Sequence, residues 1–183
     1  MPLRAFRLAI CAAAATLALA AQGAHAQASE DAVKAAFLPK FARYIELPAA
    51  AQPAEGQPYY LCVIGRDPFG ALIDQAAASE TIDGHAVAVR RFPNADIPAV
   101  AGCHLAFLAG PEQQTAQMLA AMRRQPTLTI TDARWGTPRG MIHFVIDGGR
   151  VRFHIDQAAA SDRGITISSR LLALAVDVRQ VGQ

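Results

Sequence analysis

Residues 59–75, YYLCVIGRDPFGALIDQ, carry the pattern that decides the fold. The first six residues are almost wholly apolar and rich in aromatic and branched side chains, as in a strand that is buried on both faces. Asp67 and Pro68 then stand as the expected N-cap and first residue of a helix. The apolar residues of that helix recur at three- and four-residue spacing, namely Phe69, Leu72, Ile73 and Ala76. The segment therefore predicts a strand–turn–helix unit and, with it, an α/β fold.

The rest of the chain continues this alternation of strands and helices. A helix over 28–47, with Val33, Phe37 and Phe41 on its apolar stripe, is expected to kink or divide at Pro39. Further strands are predicted at 86–92, 103–109 and 127–131, with a helix after Gly110, a short helix at 157–163 and a last helix from Ser168 through Val178. We expect a single compact domain at 27–183, with a mixed, mostly parallel sheet flanked by helices and a C-terminal β-hairpin and helix.

Residues 141–156 form the clearest predicted hairpin. With Gly148 and Gly149 as the turn, His143 lies opposite His154, whereas a turn at Asp147-Gly148 shifts the pairing but keeps the two faces. The alternation places on an apolar face Ile142, Phe144, Ile146, Val151, Phe153 and Ile155. The opposite face, which we expect to be solvated, carries His143, Val145, Asp147, Arg150, Arg152 and His154.

The first 26 residues are typical of a cleavable secretory signal peptide. Arg4 and Arg7 precede an uncharged apolar run at 8–21, and residues 24–26, Ala-His-Ala, provide the small residues of a cleavage site. The apolar run is about 14 residues long, which is shorter than the roughly 20 residues of a membrane-spanning helix. We therefore expect export to the periplasm without direct membrane insertion, and a mature domain at 27–183.

Removal of the signal peptide leaves a chain without net charge. Of the 17 Lys and Arg residues, Arg4 and Arg7 are lost, so that 15 basic residues remain against 15 Asp and Glu residues. No basic stripe remains that would bind nucleic acid or an anionic membrane surface. Cys62 and Cys103 are the two remaining cysteines, and in an exported chain such a pair favours one disulfide. The alternative is two buried thiols that pack as small apolar side chains.

The sequence contains no motif for catalysis or cofactor binding. A dinucleotide-binding glycine fingerprint, a phosphate-binding loop and a serine nucleophile elbow are all absent from it. Cys103 and His104 are adjacent in a predicted strand, so their side chains point to opposite faces and do not form a nucleophile–base pair. We therefore predict neither enzymatic activity nor a cofactor.

His143 and His154 form the one pattern that resembles a metal site. Opposed across the hairpin, they would supply two nitrogen ligands, with Asp156 or Asp147 as the third ligand. Paired polar residues are, however, common on the solvated face of a hairpin, and we predict no metal. A modest pH response is the alternative for these side chains, since adjacent imidazoles resist double protonation.

Several short blocks of the chain form a recognisable set in this order. They are 33–38 (VKAAFL) with Phe41 and Pro48, 62–65 (CVIG), 67–70 (DPFG), 103–104 (CH), 140–142 (GMI), Phe144, 151–153 (VRF) and 167–172 (ISSRLL). Together these blocks resemble the YfiR-like family of small periplasmic proteins. The resemblance implies an α/β periplasmic domain without known catalysis, in which Cys62 and Cys103 match a widely shared cysteine pair. A second cysteine pair of some members is absent here, and His143 and His154 stand where the hairpin often carries Asn and Glu.

The resemblance also implies a regulatory function. The best-understood members bind the periplasmic sensor part of an inner-membrane diguanylate cyclase of the YfiN type, and so repress cyclic-di-GMP synthesis and biofilm formation. A second copy of the chain is a further candidate partner. We expect the partner-binding residues on and after the polar hairpin face, namely His143, Arg152, His154 and Asp156. Trp135, the single tryptophan, either packs inward or adds an aromatic anchor. The alternative function is a periplasmic small-molecule-binding module, with a pocket beside Trp135, that serves a different sensor or receptor.

Overall fold

Eight strands form one mixed sheet at the centre of the molecule, and helices pack on both of its faces. The computed structural model describes residues 30–182, without the side chains of residues 97 and 98, so the predicted signal peptide at 1–26 lies outside the described residues. The strands are β1 (Ile45–Glu46), β2 (Tyr59–Gly65), β3 (Thr81–Ile82), β4 (His85–Phe92), β5 (Leu105–Ala109), β6 (Leu128–Asp132), β7 (Ile142–Asp147), β8 (Arg150–Asp156), β9 (Thr166–Ile167) and β10 (Asp177–Arg179). The α-helices are α1 (30–37), α2 (Ala71–Ala78), α3 (Ile97–Val100), α4 (Glu112–Met122), α5 (Gln157–Ser161) and α6 (Ser169–Leu172), and 3-10 helices lie at Pro39–Tyr44, Ala49–Ala51 and Ala133–Trp135.

The strand order confirms the predicted α/β fold. Across the sheet the order is β10-β8-β7-β6-β5-β2-β4-β3, and β1 pairs separately with β9. Strands β4, β2, β5, β6 and β7 are parallel, and so are β8 and β10, whereas the β7–β8 and β3–β4 pairs are antiparallel. Alternate side chains enter two apolar cores: Leu61 and Val63 face a large core with α1 and α2, and Cys62 and Ile64 face a smaller core with α4.

The predicted strand–turn–helix unit is confirmed as β2 and α2, but the helix begins later than predicted. Asp67 and Pro68 do not start it. Instead, Asp67 Oδ1 accepts hydrogen bonds from the backbone N–H groups of Phe69 (2.8 Å) and Gly70 (3.1 Å), which closes a turn before the helix. Gly70 precedes α2 with a φ of 50°, a conformation that favours glycine. The buried side of this unit consists of Phe69, Ile73 and Ala77, while Leu72 is exposed.

The helix predicted over 28–47 is divided at Pro39, as expected. Helix α1 ends at residue 37, and Pro39 begins a 3-10 helix that extends to Tyr44. Phe37 and Phe41 lie on either side of this break and pack edge-on against Phe153, with ring centroids 6.1 and 5.4 Å apart. The predicted position of Val33 in the buried stripe is wrong, because its side chain is 40% exposed.

The hairpin β7–β8 is confirmed with Gly148 and Gly149 as its turn. Both residues have positive φ, 55° and 72°, as a two-residue hairpin turn of type I′ requires. His143 pairs with His154 and is flanked by the predicted apolar pairs. The apolar face is buried near the sheet centre and open at the tip, where Ile146 is exposed.

The C-terminal segment differs from its prediction. Ser168 caps α6 by accepting from the backbone N–H of Leu171, as predicted, but the helix ends at Leu172 and Val178 lies in strand β10. The N–H of Val176 donates to the carbonyl oxygen of Phe153 at 3.0 Å and brings the tail to the edge of β8. Branched residues suit a strand, and pairing satisfies backbone groups at the edge of β8.

Cys62 and Cys103 form a disulfide. Their Cα atoms are 5.9 Å apart, both residues are buried, and the bond joins β2 to the residue that lies two positions before β5. The alternative of two free thiols is therefore wrong. The bond closes a loop across a sequence separation of 41 residues and lies within the smaller core.

Candidate functional site

Four polar side chains form a row across one face of strands β6, β7, β8 and β10. The row consists of Thr131, His143, His154 and Asp177, each of which is the direct register partner of the next. Directly paired residues lie on the same face of a sheet. A cleft of about 300 Å³ opens over His143, His154 and Asp177, and Arg139 and Arg179 stand at its sides. We refer to it as the hairpin cleft.

His143 is buried within the polar row, which corrects the expectation that this face is solvated. Only 3% of its surface is exposed. Its Nδ1 lies 2.8 Å from Thr131 Oγ1, and that oxygen accepts a hydrogen bond from the N–H of Gly140, also at 2.8 Å. Because the hydroxyl of Thr131 can both donate and accept, this contact holds the ring at Nδ1 in either neutral tautomer. Burial, supported by the charges of Arg139 and His154, lowers the pKa of His143 to about 4.

His154 is the more accessible member of the histidine pair. Its ring centroid is 6.5 Å from that of His143, and its side chain is 23% exposed. Its Nδ1 lies 3.9 Å from Asp177 Oδ2 and is buried without a hydrogen-bond partner among the described residues. This nitrogen is consequently the polar atom of the row with an unmet hydrogen-bonding requirement.

The other two predicted hairpin residues have different surroundings. Asp156 holds the start of α5, because its Oδ1 accepts from the N–H of Ala159 at 2.9 Å, while its Oδ2 accepts from Arg179 at 2.5 Å. Arg152 is exposed on β8, two residues from His154 and on the same face. The structure thus brings His143, His154 and Asp156 to one cleft and leaves Arg152 on the open surface beside it.

Trp135 belongs to a different part of the surface. Its half-buried ring packs against the large core, and the guanidinium carbons of Arg66 and Arg134 lie 5.6 and 5.9 Å from its ring centre. Its Nε1 is buried without a hydrogen-bond partner in the part of the chain that the structure describes. Trp135 does not line the hairpin cleft. The ring thus packs partly on the core and keeps an exposed part.

A buried ion-pair cluster beside Trp135 was not predicted from the sequence. Lys34 of α1 is only 1% exposed, and its Nζ donates to Asp132 Oδ2 at 2.8 Å. Arg134 also donates to Asp132, at 3.0 Å, and pairs with Asp31. The one sequence signal for this cluster is a lysine between apolar residues in an amphipathic helix. Its partner is 98 positions away.

The arrangement of the described residues provides binding groups. Within 30–182, no group of three or more His, Cys, Asp and Glu side chains is placed to hold a metal ion. None of the described helices combines the length and apolar character needed to cross a membrane. The hairpin cleft offers a neutral imidazole, a second imidazole, two guanidinium groups and two carboxylates, which are groups suited to recognition of a polar surface.

Together, the fold and the hairpin cleft define the class: an α/β protein whose C-terminal hairpin carries a polar cleft. Sequence comparison gives the family. The chain belongs to the YfiR/HmsC-like family, whose model matches residues 31–176. The predicted resemblance is thereby confirmed over nearly all of the described chain. A search of curated proteins finds no match.

Proposed function

We propose that this protein is a periplasmic regulator that represses an inner-membrane diguanylate cyclase of the YfiN type by direct contact and so lowers cyclic-di-GMP. Membership of the YfiR/HmsC-like family carries the proposal, since the match spans every strand of the sheet except β10 and most of the hairpin cleft. The pattern at 1–26 supports export with removal of a signal peptide. The Cys62–Cys103 disulfide supports an oxidising compartment.

The proposed contact surface is the outer part of the hairpin. Arg152 is exposed and His154 is partly exposed, so both are accessible to a partner. His143 and Asp156 act from beneath this surface: His143 supports the packing under His154, and Asp156 fixes the start of α5. We propose Trp135 as a separate, secondary anchor, because its ring stays half-exposed between two arginines.

Repression would follow from differential binding. A partner with an active and an inactive sensor conformation is inhibited when this protein binds the inactive conformation more tightly. A shift from 1% to 99% inactive requires roughly 10⁴-fold tighter binding to the inactive conformation. This equilibrium requires neither a catalytic residue nor a cofactor in this protein.

Deletion and complementation in the native host test the proposal. Deletion of the gene should raise cyclic-di-GMP and biofilm formation, and the wild-type gene should restore low levels. Arg152→Glu should fail to restore them, because it reverses the charge of the proposed contact. Arg124→Glu is the matched control, since it makes the same charge change at an exposed residue just after α4, and it should complement fully.

Three further measurements make the outcome interpretable. Both variants should be exported with the disulfide formed, and the mature protein should begin at Gln27. The wild-type protein should co-purify with the membrane-bound cyclase, and Arg152→Glu should not. Unchanged cyclic-di-GMP after deletion would remove the cyclase from the proposal, and full complementation by Arg152→Glu would remove the hairpin surface.

A further inference from the structure

A second cleft lies at the edge of the sheet where the parallel strands begin, opposite the edge formed by their carboxyl ends. It has a volume of about 290 Å³ and opens where β2, β5 and β6 begin. Tyr60, His104 and Thr127 form its floor, and the loop around Pro53 forms one wall. We refer to it as the amino-end cleft. It shares no lining residue with the hairpin cleft.

His104 supplies this cleft with a fixed hydrogen-bond donor. Only 7% of the residue is exposed, and its ring packs against Tyr59 and Tyr60 with centroids 4.6 and 6.0 Å away. The backbone N–H of Tyr60 donates to His104 Nδ1 at 2.8 Å, so the proton of the neutral ring lies on Nε2. Within the described residues, Nε2–H has no hydrogen-bond partner, and the ring lines the cleft.

The protonation state of His104 favours this neutral donor. Burial and the nearby charge of His85 both lower the pKa of His104 below its ordinary value. No charged side chain lines the amino-end cleft. The imidazole therefore presents a single N–H to the cleft at neutral pH and brings no charge with it.

The remaining lining describes the ligand that the cleft suits. Gln57 and Gln125 line it with carboxamides, which both donate and accept hydrogen bonds. Tyr60, Pro53 and Pro126 add flat apolar surfaces to the lining. An ionic ligand would lose its hydration without gaining an opposite charge, which is costly. The volume is near the lower limit for small-molecule sites, so the ligand is small.

We propose that the amino-end cleft binds a small uncharged ligand through a secondary amide, whose carbonyl oxygen accepts a hydrogen bond from His104 Nε2–H. The amide N–H then faces the glutamine carboxamides, and the body of the ligand packs on Tyr60. The same chemistry occurs in the acetamido group of an amino sugar and in the backbone of a short uncharged peptide. This site does not depend on the proposed regulatory function, because it shares no residue with the hairpin surface.

Four probes added to the oxidised, ¹⁵N-labelled protein test the ligand class by NMR titration. N-acetylglucosamine and N-acetylalanine methylamide both carry an uncharged secondary amide, and at least one of them should shift the amides of Tyr60, Gly102 and His104 in a saturable manner. Saturation by only one identifies the sugar or the peptide as the source. Glucose lacks the amide and N-acetylmuramic acid adds a carboxylate, so each should bind at least tenfold more weakly. Equal binding of glucose, or no saturable shift with either amide, would overturn the proposal.

Two variants test the site itself. His104→Asn keeps an acceptor near the position of Nδ1 for the N–H of Tyr60 but removes the Nε2–H, and it should weaken the binding of the amide probe about tenfold. Ala54→Trp fills the cleft from an exposed position and should abolish binding even if His104→Asn folds poorly. Ala71→Trp is the matched control, because it makes the same change at an exposed residue outside the cleft lining, and it should bind as the wild type does. Unchanged affinity in Ala54→Trp would show that the probe binds elsewhere and would refute the assignment.

Discussion

The buried state of His143 predicts how the stability of this protein changes with pH. The ordinary pKa of a histidine is 6.5, and in the folded protein the pKa of His143 is about 4, with burial as the main cause. Between these values, the unfolded chain binds a proton at His143 and the folded chain does not. The contribution of His143 to stability is therefore fully present above pH 6.5 and is lost as the pH falls towards 4.

The size of this effect follows from the two pKa values. One pKa unit corresponds to about 1.4 kcal/mol, so the full loss is roughly 3 kcal/mol at pH 4 and below. At pH 5.5 the loss is about 1.4 kcal/mol relative to neutral pH. No reduction for solvent screening applies, because His143 is only 3% exposed. For a chain of this size, the loss at pH 5.5 corresponds to a Tm lower by roughly 3–6 °C.

Urea unfolding at pH 7.5 and pH 5.5 measures this contribution. His143→Gln has no titrating ring at this position, so its free energy of unfolding should change by about 1.4 kcal/mol less between the two pH values than that of the wild type. His85→Gln removes a histidine from β4, outside the polar row. Its free energy of unfolding should keep the pH-dependent change that His143 causes in the wild type. NMR of the wild-type ring should show a neutral imidazole throughout this range.

Two results would refute the reasoning. One is an identical pH dependence in wild type and His143→Gln. The other is a His143 ring that titrates near pH 6.5, because this would mean that burial does not keep the ring neutral.

Two further predictions concern the stability of the fold. Asp132→Asn should lower the free energy of unfolding in urea by about 3–5 kcal/mol, because it leaves the buried Lys34 without its closest partner. Lys34→Met should lower it by less, because Arg134 still pairs with Asp132. Equal losses in the two variants would contradict this reasoning. Replacement of Cys62 and Cys103 together by alanine should lower the free energy of unfolding by roughly 4 kcal/mol, as expected for a loop of this length, and a loss below about 1 kcal/mol would show that the disulfide does not constrain the unfolded chain.

The sequence predicted the hairpin well because its signals are local. Alternation with a period of two, together with the glycine pair at 148 and 149, determines the turn, the register and the two faces. The burial of His143 is not a local property. It depends on Thr131 and Gly140 on one side of β7, and on β8 and the added strand β10 on the other. A face that looks polar in sequence is therefore partly interior in the structure.

The N-terminal helix shows the same limit for a helical pattern. Its aromatic residues and Pro39 correctly predicted a divided helix that packs on the sheet. The buried side of the helix passes through Asp31, Lys34 and Ala35 and not through Val33. Lys34 can be buried because Asp132, at the end of β6, accepts a hydrogen bond from its ammonium group. The two residues are 98 positions apart, so the pairing produces no periodic pattern in the sequence. The unpredicted part of the candidate site has the same origin, since Asp177 joins the polar row through β10.

The short strand β10 determines where a partner can approach the hairpin. It pairs with β8 only at 154–156, and Arg179 fastens it to Asp156. A partner strand therefore cannot pair with β8 at 154–156, because β10 already occupies that part of the edge. The β8 residues nearer the turn, from Arg150 to Arg152, have no strand on their outer side within the described chain. This portion combines backbone groups that have no strand partner with the exposed guanidinium groups of Arg150 and Arg152. An acidic partner segment would therefore form both backbone hydrogen bonds and ion pairs there. The proposed contact consequently centres on Arg152, with the partly exposed His154 beside it and His143 in the interior.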